Sequence, residues 1–396
     1  IMNELIETIK KNNFIIPDYT KPNIVDLVRS IYYKYNMDVS VNENVNIFNK
    51  QIPNNKHIIL IISDGTGSNL IDKLDNNSIL KNNKIMDMIT VFPSTTACVL
   101  TSLVTAEFPI THGIWGWYNY DRKLNLEYYP LLYSDRKNNC SLFDYGIKSD
   151  QIYKQPSLLN SLNTKVNVLF PKSINDSVYS NFVINKENRY SYNNYDDIVN
   201  FVKLNCEHEQ NSFTYLYMPD IDSLEHENGI DSKKVMNKLT EIDGMIKRLA
   251  LNKDLTIIFT ADHGQTNVNK DIILDFEYYK DIFYANPTID FGTASYFVKK
   301  EYYQMFENDF NNKYKNDMFL FKTSEFIKNN FFGLGSINDE SINNLGEYIS
   351  IPKKGVCLVN SLNSKEYLGR IKGNHSGLSD DEMIIPLVII DTNKII

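Results

Sequence analysis

Continuous apolar runs, rather than alternating ones, dominate the pattern along this 396-residue chain. His57–Ser63 (HIILIIS) is apolar at almost every position and stops at Asp64-Gly65. Val166–Phe170, Phe213–Met218, Leu255–Thr260 and the closing Glu382–Ile390 read the same way, as strands buried on both faces of a parallel sheet. Between them lie segments with helical spacing. Asn23–Tyr35 repeats Ile24, Leu27, Val28, Ile31 and Tyr35, and Asp196–Leu204 is a shorter helix. Ser232–Leu251 is the clearest, with Val235, Leu239, Ile242, Ile246 and Leu249 on one face. A short strand, Ile89–Phe92, ends at Pro93, and a helix with Val99, Leu100, Leu103 and Val104 follows. This alternation predicts an α/β fold with a mainly parallel central sheet covered by helices on both faces.

Two stretches break the alternation. Residues 115–160 are aromatic and irregular, and residues 265–374 mix a strand-like Ala294–Lys299 with a helix-like Tyr302–Lys313. Both read as lid or insert segments. No repeat and no Pro/Gly/Ser linker divides the chain, so 1–396 reads as a single catalytic domain carrying them. A hydrophobic content of 42% with 23% charged residues is that of a globular protein. With a net charge of −8 spread along the chain, there is no basic patch for nucleic acid. Cys98, Cys140, Cys206 and Cys357 form no CxxC pair and read as reduced thiols. No apolar signal core and no bilayer-length run is visible, so the expectation is a cytoplasmic protein without membrane contact.

Chemistry gathers where such sheets place it, just beyond the carboxyl ends of strands. Asp64, Asp222 with His226, and Asp262 with His263 each follow an expected strand; His375 precedes the last one. Carboxylate and neutral imidazole are the usual oxygen and nitrogen ligands of zinc-like ions, so these residues suggest a pair of metal sites. Ser94, Thr95 and Thr96 crowd the start of the helix that carries Val99, Leu100, Leu103 and Val104, where the helix dipole favours a bound phosphate or a threonine alkoxide. Helix capping by Ser94 or Thr95 is the alternative reading.

In order, SDG (63–65), FPSTTA (92–97), VTAEFPITHG (104–113), DSLEH (222–226), TADHG (260–264) and GNHSG (373–377) resemble the alkaline phosphatase superfamily. The similarity is greatest to its nucleotide pyrophosphatase/phosphodiesterase branch and runs from Lys56 to Ile390. The opening IPDYTKPNIVDLVRSI is similar to that of bacterial-type members. The resemblance implies an alkaline-phosphatase-like fold and two divalent metal ions, Zn2+ with Mn2+ as the other choice. Asp222, His226 and His375 would hold one ion; Asp64, Asp262, His263 and the nucleophile would hold the other. It implies Thr96 as that nucleophile, a slip of one residue giving Thr95, and a covalent phospho-threonine intermediate.

There are departures. Where the family has a phosphate-binding Asn this chain has Trp117, with Asn119 two residues on as a possible substitute. The aromatic run that includes Trp115 and Trp117 either stacks a nucleobase or packs a lid. The resemblance therefore implies a hydrolase of phosphodiester or pyrophosphate bonds acting on a small nucleotide-type substrate. A phosphomonoesterase or phosphonate hydrolase with the same metals is the alternative, and a catalytically inactive metal-binding protein the third reading. Oligomeric state is not legible.

Overall fold

The computed structural model describes residues 3–361 and 364–395. At its centre stand β1 (His57–Ser63), β2 (Lys84–Ile89), β3 (Lys165–Pro171), β4 (Arg189–Tyr192), β5 (Ser212–Met218), β6 (Leu255–Thr260) and β7 (Ile384–Asp391). Their order across the sheet is β2-β7-β6-β1-β5-β3-β4. The pairs β6–β1, β1–β5, β5–β3 and β3–β4 are parallel. β7 runs antiparallel to both its neighbours, so the sheet is mixed at one side and parallel elsewhere.

Successive residues of β1 point to opposite faces, and each face has its own core. Ile58, Leu60 and Ile62 join the core that holds α1 (Ile24–Lys34) and α2 (Thr96–Thr105). Ile59 and Ile61 face the core of α3 (Tyr195–Cys206) and α5 (Lys233–Leu249), to which α4 (Asp220–Asn228) adds Ile221. Burial on both faces is why the run has no polar alternation.

The strand expected at Ile89–Phe92 lies earlier, at Lys84–Ile89. It is an edge strand whose one strand partner is β7, with Ile89 N also bonded to Pro22 O at 3.1 Å, and its Lys84, Ile85 and Asp87 leave no apolar run to mark it. Residues 90–95 form a buried connection instead. Residues 115–160 contain a three-stranded antiparallel sheet (Asn119–Asp121, Leu126–Tyr129, Ser134–Asp135). Residues 265–374 contribute a four-stranded one, in the order Phe283–Ile289, Ala294–Val298, Tyr348–Pro352, Met318–Lys322. One face of the second sheet packs on its own aromatic core, which includes Tyr279, Tyr296, Phe306 and Phe310, while Ile289, Ile349 and Ile351 on the other face join the core that holds α1 and α2. Reciprocal backbone bonds between Tyr118 and Ile289 join the two inserts. Among the described residues no helix is long and apolar enough to cross a membrane.

Candidate active site

β1 is central, with β5 and β6 as its parallel neighbours, so the loops after these strands converge on one place. Asp64 follows β1 and donates its backbone N–H to Met218 O at 2.9 Å. Gly65 then turns at φ +76°, and a Cβ there would stand 2.8 Å from the Asp222 Cα. Only glycine lets α4 come this close. Asp222 and His226, four residues apart on α4, face the same side. Asp262 and His263 follow β6, and His375 arrives just after the short strand Gly373–Asn374.

The seven expected residues meet. Thr96, the first residue of α2, places Oγ1 3.1 Å from His263 Nε2 and 3.5 Å from Asp64 Oδ2. His263 Nε2 lies 3.5 Å from Asp64 Oδ1 and 3.4 Å from Asp262 Oδ2. Asp222 Oδ1 is 3.4 Å from His226 Nε2 and 3.9 Å from His375 Nε2. Among the described residues two triads, Asp64, Asp262, His263 and Asp222, His263, His375, bring their possible ligand atoms mutually within 4.8 Å. The expected grouping had His226 where the second triad has His263. Stacking of the His263 and His375 rings, centroids 3.9 Å apart, brings His263 within reach of both groups.

Each imidazole is held by its other nitrogen. His226 Nδ1 meets Gly373 O at 2.8 Å, His263 Nδ1 meets Gly264 O at 3.0 Å, and His375 Nδ1 meets Ser94 O at 3.0 Å. A carbonyl can only accept, so Nδ1 donates in all three. In the neutral rings the lone pair therefore sits on Nε2, facing the carboxylates, which is how a metal-ligating histidine is oriented.

Electrostatics point the same way. Asp64 Oδ1 and Asp262 Oδ2 are buried without a hydrogen-bond partner. Burial, then the charges of Asp262 and Asp222, push the Asp64 carboxyl well above its usual range; burial and Asp222 push Asp262 up to about 6. Burial would raise Asp222 too, but His226, His375 and His263 outweigh it and hold the group low. Burial lowers His263 and His375 to about 4, whereas Asp222 overcomes burial at His226 and raises it to about 9. Crowded carboxylates with orphaned oxygens, opposite three oriented imidazoles, make a donor set that fits divalent cations.

The neighbouring hydroxyls do other work. Ser94 Oγ donates to Gly377 O at 2.8 Å, and Thr95 Oγ1 donates to Asp290 Oδ2 at 2.8 Å. Neither caps α2, which has no side-chain cap bond. Two substrate-pocket expectations are corrected. Asn119 is buried with both amide ends engaged: Oδ1 accepts from Trp115 N at 2.9 Å, and Nδ2 donates to Gly116 O at 2.6 Å. It braces a loop rather than presenting a donor to phosphate. Trp115 is core, with Nε1 on Ser341 O at 3.1 Å and its ring edge-on to Phe332. Trp117 stays half-buried, 5.8 Å from the Tyr129 ring.

Sequence reasoning missed three contributors. The Tyr217 hydroxyl donates to Asp64 Oδ2, Gln265 Nε2 donates to Asp222 Oδ1 at 2.5 Å, and Asp290 receives Thr95. Gln265, directly after TADHG, had a positional signal; Asp290 had none.

The sequence model of the type I phosphodiesterase / nucleotide pyrophosphatase family matches residues 58–282. The chain belongs to this family. The match spans six of the seven clustered residues, all but His375. Human ectonucleotide pyrophosphatase/phosphodiesterase family member 1 is 26% identical over 228 residues, 53% of this chain and 23% of that protein. The chain thus spans under a quarter of the length of that family member. Among solved structures, murine ectonucleotide pyrophosphatase / phosphodiesterase 5 is 18% identical with a TM-score of 0.61, covering 83% of this chain and 87% of that one. It is also known as an inactive variant in complex with AMP. Phosphonoacetate hydrolase from Sinorhizobium meliloti 1021, in complex with phosphonoformate, is 14% identical with a TM-score of 0.59, covering 85% and 91%. At these identities the structural likeness shows the shared alkaline-phosphatase-like fold.

Proposed function

We propose that this chain hydrolyses phosphodiester or pyrophosphate bonds of nucleotide-type substrates, with Thr96 as nucleophile at a site for two divalent cations. The observation that carries this reading is the position of the Thr96 hydroxyl, at the first turn of α2 and beside His263 and Asp64. Thr95, the alternative nucleophile, turns its hydroxyl to Asp290 instead. Asp222, His226 and His375 hold one cation, and Asp64, Asp262, His263 and Thr96 the other, zinc or else manganese. When bound, such ions lower the pKa of a coordinated hydroxyl and neutralise charge on phosphoryl oxygens.

The protein's own part follows from the geometry. α2 aims Thr96 Oγ1 and the unpaired N–H groups of its first turn at the phosphoryl group, stabilising negative charge there. The bond from Oγ1 to phosphorus forms as the bond to the leaving oxygen breaks, and water then cleaves the phospho-threonine. The imidazoles keep their Nδ1 protons on carbonyls, so their Nε2 lone pairs stay turned inward. Segments 115–160 and 265–374 form the lid. A row of rings, Trp117–Tyr129–Tyr118–Phe291–Tyr367, runs along it with neighbouring centroids 4.8 to 5.9 Å apart, an aromatic edge suited to a nucleobase.

Zinc-loaded wild type should turn over bis(p-nitrophenyl) phosphate, lose that activity to a chelator and regain it on resupply. Thr96→Ala should keep cation content and fold while losing activity by about a thousandfold or more. Wild-type turnover by Thr96→Ala, with Thr95→Ala dead, would move the nucleophile by one residue. Full activity in both variants would end the covalent mechanism.

A further inference from the structure

One carboxylate beside the nucleophile belongs to neither cation group. Asp290 sits at the tip of the hairpin between Phe283–Ile289 and Ala294–Val298. That tip is clamped onto the His375 segment. Thr293 N donates to Ser376 Oγ at 2.9 Å, Thr293 Oγ1 donates to Ser376 O at 2.6 Å, and Asn374 Nδ2 donates to Phe291 O at 3.0 Å. A Cβ on Gly292 would stand 2.7 Å from His375 O, so the approach is as close as glycine allows. Within this frame Asp290 Oδ1 accepts Phe291 N at 2.8 Å and Oδ2 accepts the Thr95 hydroxyl at 2.8 Å. Both oxygens are fixed and the negative charge is felt at His226 and His375.

Among the described residues no Lys, Arg or His nitrogen comes within 4.0 Å of the Asp290 carboxylate. Arg136 lines the same small cavity, but its Nη1 donates to Pro287 O at 2.7 Å and its guanidinium lies over the Tyr118 ring at 3.9 Å. Its carboxylate partner is Glu127, at 3.9 Å.

We infer that Asp290 is a specificity-determining residue, a fixed negative charge bonded to Thr95, one residue before Thr96, that disfavours dianionic phosphate monoesters and so favours monoanionic diesters. The inference rests on the two-cation hydrolase reading. Two divalent cations against Asp64, Asp222, Asp262 and an ionised Thr96 leave no net charge, and Asp290 turns the balance negative. A diester brings one negative charge. A monoester above its second pKa brings two, and the extra charge meets Asp290 in a half-buried site where salt screens poorly.

Two variants separate charge from tethering. Asp290→Asn keeps Oδ1 as acceptor for Phe291 N and turns Nδ2 to the Thr95 hydroxyl, which then accepts, so the tether stays while the charge is removed; Thr95→Val removes the tether but keeps the charge. For each zinc-loaded protein, kcat/KM is measured for bis(p-nitrophenyl) phosphate and p-nitrophenyl phosphate. Binding of inorganic phosphate to the same variants in a Thr96→Ala background is followed by calorimetry at pH 8. Asp290→Asn should raise the monoester-to-diester ratio about tenfold and tighten phosphate binding by a similar factor, while Thr95→Val leaves the ratio unchanged. Equal changes on both substrates in Asp290→Asn, or the same ratio shift in Thr95→Val, would overturn the inference and leave Asp290 a brace. Wild-type inactivity on both esters would instead fell the hydrolase reading, and the inference with it.

Discussion

The loops after β1, β5 and β6 and the hairpin tip at 290–293 reach the same cluster by opposite routes. The first group supplies Asp64, Asp222, Asp262 and His263 from adjacent buried strands whose register is locked on both faces. The hairpin belongs to a sheet with an aromatic core of its own on one face, its other face joining the main core through Ile289, Ile349 and Ile351, and its tip touches the cluster through hydrogen bonds to Asn374 and Ser376. Chemistry common to a family can be placed by the strands that form its core, whereas selectivity can be tuned from an insert that shares only one face with that core.

Cation removal should give the largest effect. At a ligand concentration a thousandfold above Kd, binding should stabilise the fold by about 4 kcal/mol, read as a shift in the urea midpoint. The gain should shrink toward acid pH. The folded-state pKa of Asp262, about 6, lies above the ordinary 3.8, so without cations the native state keeps a proton that the unfolded chain has released. Stability is thus lost as pH rises between those values and the penalty is complete above them. Hydrogen exchange should gain protection at 62–66, 218–226 and 260–265 on zinc addition and remain unchanged at 303–322. A uniform gain would erase the contrast between the two regions.

Gly65→Ala comes next. The positive φ and the approach to Asp222 should cost about 2–3 kcal/mol and weaken cation binding, because α4 must move. Calorimetric unfolding of the loaded and chelated variant measures both.

A smaller effect tests the junction where the first insert leaves the scaffold. His112 is buried, with Nε2 on Ser102 Oγ at 2.8 Å and Nδ1 accepting Ile114 N at 3.1 Å. Burial lowers it to about 3. Since the unfolded side chain titrates near 6.5, stability is lost as pH falls below that value, by up to about 1.4 kcal/mol per unit. His112→Gln should flatten this part of the pH profile; an unchanged slope would assign it to other groups. The smallest effect is expected of Asn119→Ala, about 1–2 kcal/mol of stability with phosphate affinity unchanged. A large loss of phosphate binding would restore Asn119 as a direct donor.

β1 and β6 begin and end where their apolar runs do, because strands covered on both faces tolerate few polar residues. The metal-type residues were legible for a related reason: each follows such a strand or lies in a short Gly-containing turn. β2 was displaced because an edge strand with a half-exposed face carries no continuous apolar signal. Asn119 and Trp115 were misplaced because a residue's type does not show whether its polar atoms are already engaged. Asp290 was invisible for a deeper reason. Its position depends on a hairpin docking onto residues some eighty positions later in the chain, and no local pattern encodes that contact.

The placement of β7 also has a consequence for synthesis. This last strand of the sheet lies between β6 and β2, so until residues 384–391 emerge from the ribosome β2 has no strand partner in the sheet and β6 shows an open edge. His375, whose ring is tied to Ser94 O, is translated shortly before it. A nascent chain already carrying Thr96 and the first five clustered carboxylates and imidazoles thus lacks both the last imidazole and the strand that completes the sheet. The cluster is assembled in one late step, and a ribosome stalled before β7 would hold an unpaired, aggregation-prone edge rather than a working site.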